Sequence, residues 1–159
     1  MNFEVLLRKT ARVAVIAAAA LVTAFGAEKE FKADRITVES SRSFDEVADA
    51  VKKMAADNGM MVMAEVDQGK MLSMTGLTLN ARLYLIGNPN VGKQLFSRDR
   101  SVGLYVPLRV FIHSGENGKT FVSYDKPSSL LAQFNDGEIK KVAGMLDDKL
   151  KGLAAMAAK

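Results

Sequence analysis

Apolar residues recur along this chain with two different periods, which predict strands that alternate with helices. Residues 34–41 place Ile36 and Val38 at every second position, the period of a half-buried strand. Other short apolar runs are interpreted as strands at residues 60–67, 82–87, 101–114 and 119–125. Short helices are expected after the second strand and at residues 90–98.

The two longer helices have recognisable ends and apolar stripes. Ser43 and Glu46 have the spacing of a capping box, and Asn58-Gly59 can end that helix because both residues tolerate a left-handed backbone. Its buried stripe is expected to contain Phe44, Val47, Val51, Met54 and Ala55. Asn135 is expected to cap the last helix. The buried stripe of that helix is expected to contain Ile139, Val142, Leu146, Leu150 and Leu153.

A hairpin is expected near the end of the predicted sheet. Asn117-Gly118 favours a two-residue turn, which would place His113 opposite Val122. The element order becomes β-α-β-α-β-α-β-β-α. Because a hairpin ends the sheet, the pattern favours a single small α+β domain with a mixed or mainly antiparallel sheet of about five strands.

The first 27 residues differ in character from the rest. A short, net positive start precedes 15 apolar or small residues at positions 13–27, which is shorter than the roughly 20 residues of a membrane-spanning helix. Residues 1–27 are therefore interpreted as a signal peptide, residues 28–34 as a linker and residues 35–157 as the domain. Export to the periplasm is expected. The alternative is an uncleaved anchor that holds the domain at the inner membrane, facing the periplasm.

Composition and charge narrow the class of function. Hydrophobic residues make up 48% of the chain and charged residues 25%, as in ordinary globular domains. Beyond residue 27 there are 19 basic and 17 acidic residues, a net charge of +2. These charges are scattered and Trp is absent, so no nucleic-acid partner is expected. The absence of cysteine excludes disulfides, thiolate catalysis and cysteine metal sites.

Residues 87–93, "GNPNVGK", resemble the phosphate-binding loop of a GTPase. Gly92 and Lys93 match that loop, but Gln94 occupies the position where a Ser or Thr hydroxyl must bind Mg²⁺. The guanine-reading Asn-Lys-x-Asp motif is also missing, so no nucleotide is expected. The stretch is interpreted as a strand, a turn capped by Asn88, and a helix in which Gly92 permits close packing.

Two segments, "LYLIGNPNVGKQLF" and "VPLRVFIHSGENGKTFVSYDKPSSLLAQF", together resemble the bacterial and archaeal family known as domain of unknown function 302. The resemblance extends from an Asp-ended second strand through a Gly-Asn-Pro turn, a Pro-Leu-Arg strand and a hairpin to Tyr-x-x-Pro. It implies a small α+β fold with helices packed on one face of one sheet, and a homodimer. Many relatives carry His where this chain has Gln68, so a ligand or proton-transfer role of that His does not carry over.

His113 is the candidate cofactor-binding residue, because imidazole binds haem iron and other metals. It is the single histidine of the chain. One histidine without cysteine cannot form a tetrahedral zinc site, so haem or copper is the cofactor to consider. The alternative is a partly exposed strand histidine beside a turn.

Met61, Met63, Met71 and Met74 are the candidate metal ligands, because thioethers are soft ligands that select Cu(I). Met61 and Met63 are expected on one strand face, and Met71 and Met74 one helical turn apart. The favoured alternative is that these flexible side chains fill the core. A third interpretation is a methionine-lined surface that binds an apolar ligand or partner.

Four polar residues, Asp67, Gln68, Asn88 and Arg109, are expected from the family topology to converge on a pocket. No catalytic group is predicted. Neighbouring strand residues such as Ser123 and Tyr124 point to opposite faces and do not converge.

The expected function is that of an exported, non-catalytic binding or accessory domain, present as a homodimer. Two alternatives stay open. One is a haem- or copper-binding protein associated with redox chemistry. The other is a subunit tethered to a membrane-protein complex through an uncleaved helix at residues 13–27.

Overall fold

The computed structural model describes residues 32–159, so the predicted signal peptide or anchor at residues 1–27 lies outside the described residues. One sheet contains the five strands β1 (Arg35–Ser40), β2 (Met61–Asp67), β3 (Ala81–Gly87), β4 (Leu108–Ser114) and β5 (Thr120–Asp125). Their order across the sheet is β1-β5-β4-β3-β2, and every neighbouring pair is antiparallel. The predicted α+β class is confirmed, and the sheet is antiparallel throughout.

Helices follow four of the five strands, and the two long helices cover one face of the sheet. The helices are α1 (Phe44–Asp57), α2 (Gln68–Ser73), α3 (Pro89–Phe96), α4 (Pro127–Leu130) and α5 (Gly137–Ala157), with a 3-10 helix at Arg100–Leu104. The two long helices, α1 and α5, pack against each other and against the sheet. Between residues 32 and 159, no helix has both the length and the apolar character needed to cross a bilayer.

Alternation along the strands decides which side chains enter the core. Tyr84 and Ile86 of β3, and Val110 and Ile112 of β4, face the helices and have no exposed surface. The apolar stripes predicted for α1 and α5 lie on the buried sides of those helices. The intervening strand residues face the opposite side of the sheet, which neither long helix covers.

The ends of helix α1 follow the sequence prediction. The Glu46 amide donates to Ser43 Oγ at 3.4 Å, and the Ser43 amide donates to Glu46 Oε2 at 2.9 Å, which confirms the capping box. Asn58 is the last capping residue, and Gly59 follows with a left-handed φ of +66°. These residues therefore fix both ends of a helix whose buried face packs on the sheet.

The predicted cap of helix α5 is wrong by one residue. Asp136, not Asn135, is the capping residue, and its Oδ1 accepts hydrogen bonds of 2.9 and 3.0 Å from the amides two and three residues further on. A carboxylate is favoured there because it also interacts with the positive end of the helix dipole. Arg98 donates to the other oxygen of Asp136, and this hydrogen bond holds the pKa of the carboxyl below its ordinary value.

The predicted turn between β4 and β5 is also wrong. Three residues at 116–118, rather than two, connect the strands, and Gly118 has a left-handed φ of +76°. His113 consequently lies opposite Phe121 and not opposite Val122. This change of one residue in the strand register matters, because it places the side chain of Phe121, instead of that of Val122, beside His113 on the same face of the sheet.

Candidate functional site

The sheet face opposite α1 and α5 forms a groove with a volume of about 640 Å³. Small-molecule sites typically enclose about 300–1,000 Å³, so this groove has the size of a ligand site. We call it the open-face groove. It is lined chiefly by Gln68, Leu83, Arg109, Phe111, His113 and Phe121, and on one side by Arg35, Thr37, Ser123 and Asp125. These residues come from the first turn of α2 and from the four strands β1, β3, β4 and β5.

Strand pairing explains why these side chains meet. Leu83 of β3 lies directly opposite Phe111 of β4, and Phe111 lies opposite Ser123 of β5. In the next row across the sheet, His113 lies opposite Phe121. Directly paired residues project to the same face, so the floor of the groove is a continuous surface, largely apolar.

The His113 ring is stacked with two aromatic rings. Its centroid lies 5.0 Å from that of Phe111 and 5.4 Å from that of Phe121, with interplanar angles of 13° and 23°. Nδ1 is buried and has no hydrogen-bond partner among residues 32–159. His113 therefore contributes part of its ring to the groove, while its Nδ1 lies buried without a partner in the described residues. The haem hypothesis for this residue stays a prediction.

Arg109 is the exposed cation of the groove. Within the described part of the chain it forms no ion pair. Asp125, on the same rim, is already occupied, since Arg35 Nε and Nη2 donate to its two carboxylate oxygens at 2.8 and 3.1 Å. That hydrogen-bonded pair raises the pKa of Arg35. The groove thus combines one neutralised ion pair with one cation that is available to a ligand.

The four polar residues predicted to form a pocket are divided by the structure. Gln68 and Arg109 line the open-face groove. Asp67 instead caps α2, accepting a 2.8 Å hydrogen bond from the amide of Lys70, and Asn88 caps α3. His113, considered separately from sequence, joins Gln68 and Arg109 in the groove.

A second group of charged residues lies on the helix side of the sheet. Glu65 lies 3.2 Å from both the Lys52 ammonium and Arg82 Nε, and Asp67 lies 3.6 Å from Arg82. The hydrogen bond that Lys52 donates to Glu65 raises the pKa of Lys52, and burial raises the pKa of Tyr84 beneath the cluster. The two acids are engaged by cations, which indicates a structural ion-pair network.

The candidate methionine ligands are all on the surface. Met61 and Met63 are 51% and 47% exposed, and Met71 and Met74 are 59% and 83% exposed. The interpretation that they fill the core is therefore wrong for these four residues, whereas their neighbour Met60 is buried, at 5% exposure. The pairs lie at opposite ends of β2, whose seven residues span about 20 Å. Copper binding stays a prediction, now for two separate pairs.

A small apolar pocket lies beside helix α3, with a volume of about 180 Å³. It is lined chiefly by Met63, Ile86, Leu95, Phe96, Pro107 and Leu108. The register of β2 against β3 shifts between Val62 and Ala64, so Met63 is the additional residue of a β-bulge. The side chain of Met63 consequently lies over Gly87 at the rim of the pocket.

The loop that resembles a phosphate-binding loop caps its own helix. The amides of Asn90 and Val91 donate to Asn88 Oδ1 at 2.8 and 3.3 Å, and Pro89 has no amide proton to offer. Asn88 Nδ2 donates to the Gly59 carbonyl oxygen at 2.6 Å. The predicted interpretation as a strand, an Asn-capped turn and a helix is confirmed.

Two features of the structure differ from what the sequence predicts. The apolar floor of the groove was missed, although Leu83 and Phe111 alternate with buried residues and so had to face away from the core. Gly92 was expected to permit close packing, which is wrong: a Cβ at that position would meet no atom within 4 Å. A glycine pattern alone does not distinguish close packing from open space.

Residues 36–157 match the family described as "Domain of unknown function DUF302". The crystal structure of an uncharacterized conserved DUF302 protein from Bacillus stearothermophilus superposes with a TM-score of 0.72, covering 79% of this chain and 98% of that chain. The sequence identity is 20%, so this likeness shows the fold alone.

Two relatives from Brucella carry the name fluoride-specific ion channel FluC 1. The protein from Brucella suis biovar 1 (strain 1330) is 32% identical over 109 residues, which are 68% of this chain and 43% of that protein. The protein from Brucella abortus biovar 1 (strain 9-941) is 32% identical over 109 residues, or 40% of its length. The chain therefore spans about two fifths of the length of these relatives.

Proposed function

The chain belongs to the DUF302 family, and from this premise we propose that it is an exported, non-catalytic binding domain. Its open-face groove accepts an organic anion with an aromatic or otherwise apolar body. One observation carries the proposal: the exposed guanidinium of Arg109, without an acidic partner in residues 32–159, adjoins the apolar floor of the groove.

The chemistry of the ligand follows from these neighbours. A guanidinium offers paired N–H donors that match a carboxylate, and hydrogen bonds to charged groups contribute roughly 1.5–3 kcal/mol each. The rings of Phe111, His113 and Phe121 favour a planar apolar body, since stacked aromatic pairs add about 0.5–1.5 kcal/mol beyond burial. An aromatic carboxylate satisfies both requirements.

The arrangement of the remaining groups supports binding rather than covalent chemistry. The Ser123 hydroxyl is hydrogen-bonded to the Thr37 hydroxyl at 2.9 Å. The His113 ring is stacked with the rings of Phe111 and Phe121. A nucleophile needs a base within hydrogen-bond reach, and Ser123 has another hydroxyl there instead.

The experiment compares two probes that share a naphthalene ring, one of which carries an anionic and the other a neutral polar group. Binding of 2-naphthoate and of the neutral 2-naphthylmethanol is measured by calorimetry on the purified protein. We expect the wild type to bind the carboxylate at least tenfold more tightly, and Arg109→Gln to lose that preference while retaining the alcohol. Arg100→Gln, on the 3-10 helix outside the groove, is the matched control and should keep the preference.

Two results would contradict the proposal. One is equal affinity of the wild type for both probes. The other is an unchanged preference in Arg109→Gln. The homodimer implied by the family resemblance is tested in the same titrations. If a second copy covers the groove, the apparent affinity for naphthoate falls as the protein concentration rises.

A second candidate function follows from the two Brucella relatives. We propose that the segment they share with this chain is an accessory domain of membrane ion transport and not the ion path itself. The described domain is an open sheet with edges at β1 and β2, and unpaired edge amides and carbonyls are not tolerated in lipid. The 57% of the Brucella suis protein outside the match leaves room for the part that crosses the membrane.

Two measurements test this second candidate and the proposed export. Fluoride tolerance is compared between the host, the host lacking the gene, and the deleted host expressing the full chain. Reduced tolerance that the full chain restores would support the accessory role, and unchanged tolerance would refute it. Mass spectrometry of the natural N-terminus decides the location: a start at Ala27 or Glu28 supports cleavage and export, whereas an intact chain in the membrane fraction supports the anchor.

A further inference from the structure

Helix α3 presents one whole side to the apolar pocket. Besides Pro89 in the first turn, the pocket residues of this segment are Asn88, Val91, Gly92, Leu95 and Phe96, which have the i, i+3, i+4, i+7, i+8 spacing of one helix face. Gly92 lies at the centre of that face. The pocket wall therefore has a gap at the position where a side chain would otherwise fill it.

Neither backbone conformation nor packing requires glycine at position 92. Its φ does not lie in the left-handed region, and an added Cβ would meet no atom within 4 Å. Glycine is nevertheless a costly residue inside a helix, because it loses the most backbone entropy on folding. What Gly92 does in this structure is to leave the pocket open.

The polar surface of the pocket is not available to a ligand. Asn88 is its polar side chain, and both ends of that carboxamide are occupied: Oδ1 accepts two amides of α3 and Nδ2 donates to the Gly59 carbonyl. The floor consists of Ile86, Leu108 and Leu146, each at most 4% exposed. A charged or strongly hydrogen-bonding molecule would lose its hydration here without compensation.

The volume of the apolar pocket and the side chains at its rim restrict the size and the class of the ligand further. The pocket encloses about 180 Å³, slightly more than an engineered apolar cavity of about 150 Å³ that stays dry and binds benzene. Met63 and Phe96 form its exposed rim, at 47% and 44% exposure. A thioether and a phenyl ring both make favourable contacts with the edge or face of an aromatic ring.

We propose that this apolar pocket is a second binding site, specific for a small uncharged arene of one ring. The ligand enters between Met63 and Phe96 and lies against the Cα atom of Gly92. This site is separate from the open-face groove and requires no charge, so it does not depend on the function proposed above.

The test uses toluene as the probe and benzoate as its charged counterpart. Binding is followed on the full chain by NMR of methyl-labelled methionine, in which Met63 reports on the pocket and Met156 on an exposed position ten residues beyond Leu146 on α5. We expect saturable shifts of the Met63 methyl with toluene, no shift of Met156, and at least tenfold weaker response of Met63 to benzoate.

Variants that place a side chain at Gly92 test the proposal most directly, because that side chain would occupy the gap in the pocket wall. Gly92→Leu is expected to weaken toluene binding at least tenfold, and Gly92→Ala at least threefold, with no fall in melting temperature for Gly92→Ala. The alanine variant keeps the test valid if the leucine variant does not fold. Absence of saturable toluene binding in the wild type would overturn the proposal. So would undiminished affinity in Gly92→Ala, or shifts that locate toluene away from Met63.

Discussion

Asn88 joins three parts of the chain, and its replacement by alanine has a calculable effect on stability. The side chain caps α3 by accepting the amides of Asn90 and Val91, and it donates to the carbonyl of Gly59, which follows α1. Loss of an Asn cap costs about 1 kcal/mol. Loss of the second hydrogen bond costs about 1 kcal/mol more. We therefore expect Asn88→Ala to lower the free energy of unfolding by about 2 kcal/mol.

Two further variants separate these contributions. Asn88→Asp keeps the capping oxygen but removes the donor to Gly59, so its loss should be about half as large. Asn90→Ala is the matched control on the same turn, since the exposed Asn90 side chain makes no hydrogen bond to any residue between 32 and 159, and exposed changes of this kind usually stay within about 0.5 kcal/mol.

Urea unfolding followed by circular dichroism measures all three differences. Thermal unfolding should agree, with a fall of about 8 °C for Asn88→Ala in a domain of this size. The reasoning fails if Asn88→Ala loses less than about 0.5 kcal/mol, or if Asn90→Ala is equally destabilising.

The expectation that the protein binds no nucleotide is tested on the wild type. GTP with Mg²⁺ should leave the melting temperature unchanged, because a ligand of the folded state would raise it.

Two glycines and one tyrosine give the remaining predictions. Gly92→Ala should stabilise the protein by about 0.5–1 kcal/mol in urea unfolding, because helical Gly is costly and the new methyl is unopposed; a loss of stability would contradict this. Gly69→Ala should be strongly destabilising in the same assay, because its Cβ would lie 2.4 Å from the carbonyl oxygen of Leu79; a neutral result would refute the close approach. Burial raises the pKa of Tyr84 above its ordinary value of about 10, so the folded state retains this proton longer and stability falls as pH rises above 10. Tyr84→Phe should lessen that fall, with little change at pH 7, where the buried hydroxyl has no aligned hydrogen bond; an identical alkaline slope would disprove the assignment.

Local sequence signals predicted the elements of this fold well, because caps and stripes act over a few residues. Ser43 and Glu46 form the expected box, and the stripe of α5 from Ile139 to Leu153 is buried as expected. The two-residue turn predicted from Asn117-Gly118 is wrong because a positive φ at glycine suits both two- and three-residue loops. Which loop forms depends on strand pairing, which no local signal contains.

The site was harder to predict because it depends on which sheet face the helices leave uncovered. Gln68 and Arg109 were chosen as pocket residues and both line the open-face groove, but Asp67 and Asn88 form helix caps instead. The prediction that the four methionines are buried is wrong for a related reason. The bulge at Met63 and the position of α2 follow from tertiary packing rather than from spacing.

The position of β1 at the sheet edge determines when this domain can fold during synthesis. Its one neighbour in the sheet is β5, whose Asp125 pairs with Arg35 across 90 residues, and the Ser40 hydroxyl donates to the carbonyl of Ala158. The first strand therefore has no partner in the sheet until β5 has been synthesised. The pairs β2-β3 and β3-β4 need no contribution from β1 or β5 and can form earlier, so the sheet closes last at its first strand.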